Sequence, residues 1–143
     1  MSNKIRNPKD MKTLNQTIFR EYDIRGKYPE DLNPSSIRSI AFSIAKKCKA
    51  ESIDSLVIGR DGRLSGPELI KILEAELNNN GISTLNIGIV TSPLLYFAAK
   101  KSSTLSGIML TGSHNPKNYN GIKMVINDQP ISGKEIYAVS YTH

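Results

Sequence analysis

Ser55-Leu56-Val57-Ile58-Gly59 is a short apolar run, and Ser65-Gly66-Pro67-Glu68 follows it closely in the chain. The first stretch is typical of a buried strand. The second has the residue order of a capping box, so it predicts the start of a helix that continues through Leu77. A strand followed directly by a helix is the repeating unit of α/β proteins, and this stretch therefore decides the fold class.

The same pattern occurs on both sides of this unit. Asn33-Pro34 predicts a helix start, because apolar residues recur at threes and fours from Ile37 to Cys48. Residues 84–90 predict another strand, and Ser92-Pro93 predicts the cap and first turn of another helix. The alternation predicts an α/β, three-layer αβα domain with a mostly parallel sheet.

The C-terminal part of the chain predicts a change in strand direction. Gly107-Ile108-Met109-Leu110 is an unbroken apolar run that suits a strand buried on both faces. Tyr119-Asn120-Gly121 is a hairpin signal, so residues 122–126 are predicted to return antiparallel beside that strand. We therefore expect a mixed sheet with an antiparallel hairpin near the C-terminal end, followed by a helix that begins near Glu135.

Composition limits the classes of function. With 143 residues, the chain has room for one domain with a hydrophobic core, and its single cysteine, Cys48, is expected to be a buried structural thiol. No stretch resembles a leader or could cross a bilayer, so we expect a cytoplasmic location and no membrane partner. The formal net charge is +6, yet the basic residues are scattered and no ribonucleoprotein or zinc pattern is present. We therefore expect no nucleic-acid partner and favour a small phosphorylated ligand.

The hexapeptide Thr111-Gly112-Ser113-His114-Asn115-Pro116 directly follows the predicted strand 107–110. Ligands of open α/β sheets collect at the carboxyl ends of the strands, so Ser113 is predicted to offer its hydroxyl on a loop at such a site. A serine that carries a phosphoryl group is one interpretation, and an ordinary loop serine is the other. A hydrolase triad is disfavoured, because His114 is adjacent to Ser113 and is badly placed to act as its base.

Two charged clusters are predicted near the same edge. In residues 59–67, Arg60, Asp61 and Arg63 either contact phosphate oxygens or form an arginine–aspartate pair that stiffens the loop, and the sequence leaves both open. Residues 19–26 alternate apolar and charged residues, which favours an edge strand with a solvated face. Lys123 interrupts an apolar strand, where alternation would normally direct it to water.

Four motifs in order resemble the first domain of the α-D-phosphohexomutases, the family of bacterial phosphomannomutase/phosphoglucomutase. The resemblance covers roughly residues 17–136 and rests on the following segments: Phe19-Arg20-Glu21-Tyr22-Asp23-Ile24-Arg25-Gly26, Gly59-Arg60-Asp61-Gly62-Arg63-Leu64-Ser65-Gly66-Pro67, Thr111-Gly112-Ser113-His114-Asn115-Pro116 and Tyr119-Asn120-Gly121-Ile122-Lys123.

The resemblance implies a mechanism. Ser113 would be phosphorylated and would interconvert hexose 1-phosphate and hexose 6-phosphate through a bisphosphate intermediate, which makes the family phosphomutases of the isomerase class. Lys123 resembles the general acid/base, and His114, Tyr22 and Arg25 resemble groups near the substrate. The resemblance also implies Mg²⁺, held through the phosphate on Ser113, and glucose 1,6-bisphosphate or a similar hexose bisphosphate as activator.

The resemblance further implies a domain organisation. Residues 1–16 are expected to be disordered or extended, residues 17–137 to form domain I, and residues 138–143 to be a tail outside the family pattern. Motifs of domains II–IV are not found in the sequence, so we expect the isolated chain to be inactive unless another chain supplies them. A non-catalytic phosphosugar-binding fragment, a degenerate gene product and a nucleotide- or nucleic-acid-binding α/β domain remain as alternatives.

Overall fold

A computed structural model describes residues 14–139. The terminal predictions, residues 1–16 and residues 138–143, fall largely outside this part of the chain. The described elements, after a short 3₁₀ helix at Gln16–Ile18, are β1 (Ile24–Lys27), α1 (Pro34–Ala50), β2 (Ser55–Arg60), α2 (Gly66–Asn79), β3 (Ser83–Ile89), α3 (Ser92–Lys101), β4 (Gly107–Leu110), β5 (Tyr119–Ile126), β6 (Gln129–Ile131) and α4 (Gly133–Val139).

The strands form one mixed sheet in the order β1-β5-β4-β2-β3. Strands β2 and β4 pair in parallel, and so do β2 and β3, whereas β5 is antiparallel to β1, β4 and β6. Strands β1 to β4 therefore run in one direction. The predicted α/β, three-layer fold with a mostly parallel sheet is confirmed.

Helices cover both faces of this sheet. Helices α1, α2 and α4 pack on one face, where the main core joins α1 and α2 to the strands through residues such as Ile40, Leu73 and Ile108. Helix α3 packs on the other face over a smaller cluster of Val57, Leu95 and Met109. The core therefore lies mostly on the α1 side, and α3 covers the opposite face alone among the described elements.

Cys48 is buried in the α1 core, as the helical pattern predicts. Burial and, secondarily, the charge of Glu51 raise the pKa of its thiol to about 12. The protonated form therefore dominates at neutral pH, which is the expected state of a structural thiol.

The capping interactions agree with the sequence for α1 and differ for the other two helices. Asn33 caps α1 by accepting from the backbone N–H of Ser36, and the Ser36 side chain completes the capping box. Ser65 stands at the N-cap of α2 but makes no capping hydrogen bond. The cap of α3 is Thr91, not Ser92, because the Thr91 hydroxyl accepts from the backbone N–H of Leu94.

The antiparallel return of β5 beside β4 is confirmed, but Asn120-Gly121 is not its turn, because these residues lie inside β5 and pair with β1. The chain reverses between β4 and β5 through residues 111–118. A two-residue turn, Asn127-Asp128, joins β5 to β6 instead, with both residues at positive φ as in a type I′ turn.

The prediction of an edge strand with a solvated face over residues 19–26 is wrong in part. β1 is an edge strand, but it begins only at Ile24, after a turn in which the Arg20 N–H donates to the Asp23 carbonyl. Asp23 is buried, because it pairs with Arg25 instead of facing water.

Across the described residues, no helix is long and apolar enough to span a membrane.

Candidate functional site

The loop of residues 111–118, here called the Ser113 loop, joins the carboxyl end of β4 to β5. The loop after β2, which contains Asp61 and Arg63, leaves the same edge of the sheet, because β2 and β4 pair in parallel. Ser113 has a φ of 56°, in the left-handed region that residues with a Cβ rarely adopt. The predicted location of Ser113 beyond a strand's carboxyl end therefore agrees with the structure.

The side chain of Ser113 differs from the expected exposed hydroxyl. The residue is half-buried, and its Oγ is buried without a hydrogen-bond partner in the described part of the chain. A buried hydroxyl with no partner has lost its hydrogen bonds to water, so rotation toward solvent or attachment of a hydrogen-bonded group would relieve this cost.

Arg63 fastens the Ser113 loop from the side of β2. Its Nη2 donates to the carbonyl oxygens of Ser113 and Asn115 at 3.0 and 2.9 Å. Its Nη1 donates to those of Pro116 and Tyr119 at 2.5 and 3.3 Å. A single guanidinium therefore gathers four carbonyl groups from the Ser113 loop and the first residue of β5.

Asp61 holds the start of the same loop. Its Oδ2 accepts from the Thr111 hydroxyl at 2.8 Å and from the Gly112 N–H at 3.1 Å, and the Thr111 hydroxyl oxygen accepts from the Ser113 N–H at 3.0 Å. Asp61 also pairs with Arg63 Nε at 3.2 Å. Burial acts to raise the pKa of Asp61, but hydrogen bonds from Thr111, the Arg63 and Gly112 N–H groups and the Arg63 side chain outweigh it and lower the pKa. The carboxylate is therefore ionised at neutral pH.

One of the two interpretations that the sequence left open for the loop of residues 59–67 was an arginine–aspartate pair, and Asp61 and Arg63 form such a pair. The same two side chains also hold the neighbouring Ser113 loop. The sequence suggested the pair through its spacing. It did not indicate the partner loop, because the contacts join residues about fifty positions apart.

Arg25 and Lys123 share the α3 face of the sheet. Arg25 pairs with Gly121, whose carbonyl oxygen accepts from the Thr111 N–H, so Arg25 lies level with the start of the Ser113 loop. Lys123 is two residues further along β5, opposite Met109 of the α3 cluster. It is half-buried, and therefore the expectation that alternation directs it to open water is wrong.

Arg25 is held by Asp23. Its Nε and Nη2 both donate to Asp23 Oδ2, at 3.1 and 2.7 Å. A guanidinium has five donors, so three remain without a protein partner among the described residues. Burial and then the charge of Asp23 raise the pKa of Tyr96 on α3, which agrees with this pair lying on the α3 side.

Tyr22 and His114 are both exposed, Tyr22 to 82% of its surface. Tyr22 lies in the turn before β1, and His114 follows Ser113 in its loop. Neither makes a side-chain hydrogen bond within the described residues. The structure therefore places Arg25 and Lys123 on one face of the sheet, and leaves the side chains of Tyr22 and His114 exposed to solvent.

Asn120 is a residue of this region that the sequence did not single out. It is fully buried, donates from Nδ2 to the Ser65 hydroxyl at 2.7 Å, and accepts from the Gly121 N–H at 2.9 Å. It links the start of α2 to β5. Ser65 does not cap α2 because its backbone is already helical, whereas a capping residue is extended. A polar residue inside an otherwise apolar strand was the available signal.

The described residues do not by themselves fit a Mg²⁺ site. Within them, no three His, Cys, Asp or Glu side chains come together. Asp61, the carboxylate bonded to the Ser113 loop, already uses both oxygens for loop and backbone donors. A cation here would depend on a phosphate carried by Ser113 and on groups beyond the described residues.

Comparisons with known proteins agree with this architecture. The family described as phosphoglucomutase/phosphomannomutase, alpha/beta/alpha domain I, matches residues 16–140. A phosphoglucomutase of Neisseria gonorrhoeae is 44% identical over 126 residues, which are 88% of this chain and 27% of that relative. A phosphomannomutase/phosphoglucomutase of Pseudomonas aeruginosa is 42% identical over 127 residues, covering 89% of this chain and 27% of the relative.

A solved structure shows the same fold. The crystal structure of a phosphoglucomutase/phosphomannomutase family protein from Burkholderia thailandensis superposes with a TM-score of 0.82 at 39% sequence identity. The match covers 90% of this chain and 30% of that protein. The chain thus spans a little over a quarter of the length of the curated relatives reported above.

Proposed function

Because the chain belongs to the phosphoglucomutase/phosphomannomutase family, whose domain I it matches, we propose that Ser113 carries a phosphoryl group in the interconversion of hexose 1-phosphate and hexose 6-phosphate. One observation carries the proposal: the Ser113 loop is fastened at the carboxyl edge of the sheet, level with Arg25. We also propose that residues 17–137 form domain I, because the family's domain I matches residues 16–140.

The transfer step needs few groups. The bond between Ser113 Oγ and phosphorus breaks as a sugar hydroxyl oxygen bonds to the phosphorus. The sugar hydroxyl proton passes to a base, and the released Ser113 oxygen takes up a proton from water. Lys123 is the proposed base, and in the reverse step its ammonium returns the proton to the sugar oxygen. Phosphoryl transfer depends mainly on position and charge, and this loop is held in position from β2.

The spare donors of Arg25 support its role as a phosphate ligand. Asp23 orients the guanidinium, and three donors are free to meet phosphate oxygens. His114 and Tyr22 are exposed beside this edge and are proposed as further substrate contacts. Mg²⁺ would stabilise the charge of the transferring group when bound, and a hexose bisphosphate such as glucose 1,6-bisphosphate would load Ser113.

Phosphorylation of Ser113 is not by itself sufficient for mutase turnover. The chain spans a little over a quarter of the length of its curated relatives. We propose that turnover requires further domains, which correspond to the rest of those relatives. A coupled mutase assay with the purified chain is expected to show no turnover, and turnover by the chain alone would contradict this. A cytoplasmic location stays a prediction.

The carrier role is tested by intact-mass analysis after incubation with glucose 1,6-bisphosphate and Mg²⁺. The wild type is expected to gain one phosphoryl group, whereas Ser113→Ala is expected to gain none, because it lacks the accepting oxygen. Ser103→Ala is the matched control, since this exposed serine precedes β4 at the opposite end of that strand. A phosphoryl adduct on Ser113→Ala, or a wild type that binds the sugar without gaining one, would overturn the carrier role in favour of a phosphosugar-binding module.

A further inference from the structure

We propose that Asp61 and Arg63 are positioning residues, which hold the Ser113 loop in the conformation that phosphoryl transfer needs and do not themselves bind the substrate. This inference rests on the proposed carrier role of Ser113. It extends that proposal by giving a function to two charged residues that would otherwise be taken as phosphate ligands.

The donor inventory of Arg63 carries the argument. A guanidinium has five N–H donors, and in Arg63 all five have acceptors: Nε meets Asp61, and the other four meet backbone carbonyls. The side chain is only 13% exposed. Binding a substrate phosphate would require Arg63 to release the loop that carries Ser113. Arg25, with its three spare donors, has no such conflict.

Asp61 acts on the other side of the serine. Its carboxylate can only accept, so the Thr111 hydroxyl must donate to it, and this leaves the Thr111 oxygen free to accept from the Ser113 N–H. The relay fixes the backbone nitrogen of Ser113, while Arg63 fixes its carbonyl oxygen. The loop after β2 thus holds both backbone hydrogen-bonding groups of Ser113, the carbonyl directly and the N–H through Thr111.

The ties matter because Ser113 has a positive φ. A serine is disfavoured in this region, so the conformation persists only while its surroundings impose it. Without the ties, we expect the loop to relax and the Oγ to lose its alignment with the incoming phosphate. Loss of alignment lowers the rate of the transfer step more than it lowers substrate affinity.

The experiment uses four variants of the full chain. Arg63→Lys keeps the charge but cannot span four carbonyls. Thr111→Val replaces the hydroxyl between Asp61 and the Ser113 N–H by a methyl group of similar size, and Thr111→Ser keeps a hydroxyl at this position. Arg38→Lys on α1 is the control for an arginine change at a residue with no described contact to the loop. Thermal unfolding selects the variants that fold like the wild type.

The measurement is the single-turnover rate of Ser113 phosphorylation as a function of glucose 1,6-bisphosphate concentration. The maximal rate is expected to fall by up to about 10²-fold in Arg63→Lys and Thr111→Val, with the half-saturating concentration unchanged. Thr111→Ser and Arg38→Lys are expected to match the wild type. Unchanged maximal rates, or a raised half-saturating concentration in Arg63→Lys alone, would overturn the inference, the second by making Arg63 a substrate ligand.

Amide hydrogen exchange of residues 111–119 separates this inference from the carrier role. Faster exchange in Arg63→Lys and Thr111→Val is expected whether or not Ser113 is phosphorylated. A wild type that is never phosphorylated would refute the carrier role and with it the positioning for transfer, even if exchange rises. Phosphorylation at wild-type rates with unchanged exchange in both variants would refute the positioning role alone.

Discussion

Arg25 and Arg63 stand at the same edge of the sheet, yet their guanidinium groups are used differently. Within residues 14–139, Arg63 has every donor engaged, whereas Arg25 bonds one carboxylate oxygen and has three donors without a partner. The difference follows from the neighbours of each residue. Carbonyls of the Ser113 loop surround Arg63, while β1 lets Arg25 reach the α3 face beyond the end of β4.

At the residue scale, Gly112→Ala is expected to destabilise the folded chain. A Cβ at this position would overlap the guanidinium of Arg63, which its hydrogen bonds hold in place. Overpacking of this kind costs about 1–3 kcal/mol, to be measured as a loss of unfolding free energy in urea. Gly62→Ala is the matched control, because a Cβ there meets nothing within 4 Å. Equal unfolding free energies of the two variants would show that the Arg63 side chain moves aside at little energetic cost.

At the scale of elements, the helices start by different means. Asn33 closes a reciprocal capping box with Ser36 at the start of α1. Ser65 instead accepts from buried Asn120, and the carboxylate of Glu68, which the sequence pattern assigned to the box, accepts from the Tyr28 hydroxyl at 2.5 Å. Tertiary partners have taken over both side chains at the start of α2.

Asn33→Ala is therefore expected to destabilise α1 by about 0.5–2 kcal/mol, because the Ser36 N–H loses its acceptor. Urea unfolding followed by circular dichroism measures the change. Ser35→Ala in the same turn is the control, since Ser35 is exposed and makes no described side-chain bond. A loss in Ser35→Ala as large as in Asn33→Ala would mean that the cap contributes nothing specific.

At the scale of the whole molecule, the two faces of the sheet are covered unequally. Among the described elements, helix α3 alone covers one face, and large apolar side chains of α3 and the edge strand β3 remain open to solvent: Leu85, Ile89, Leu94 and Phe97, each at least 50% exposed. We call these four residues the α3 patch. Three of them, Leu85, Leu94 and Phe97, line a groove of about 540 Å³ between β3 and α3. Such a patch favours contact with other apolar surfaces.

The chain is therefore expected to bind the dye ANS and to self-associate as its concentration rises. The double variant Leu94→Ser with Phe97→Ser is expected to reduce both, because it removes apolar area from the α3 patch. Dye fluorescence and sedimentation velocity measure the two effects. Leu64→Ser is the control, since Leu64 is 96% exposed but lies outside the patch. Reduction by Leu64→Ser to the same extent would show that the patch is not special.

The sequence by itself determined the order and type of the main elements and the motifs of the site. Apolar residues recur every two residues in a half-buried strand and every three to four residues in a helix, so their spacing reports on local burial. The location of a motif directly after a strand can likewise be read from the local sequence. These features predicted α1 to α3, β2 to β4 and the place of Ser113. They did not predict β6, because its turn uses Asn127-Asp128 without glycine.

Only the tertiary structure decided how the charged residues are used. Whether Arg63 meets a substrate or a carbonyl, whether Asp23 faces water or Arg25, and whether the Ser113 Oγ is open or buried depend on contacts between segments far apart in the chain. Hydrogen-bond partners at such distances leave no periodic trace in the sequence. The sequence therefore indicates the candidate groups of the site, and the structure shows which protein groups each of them contacts.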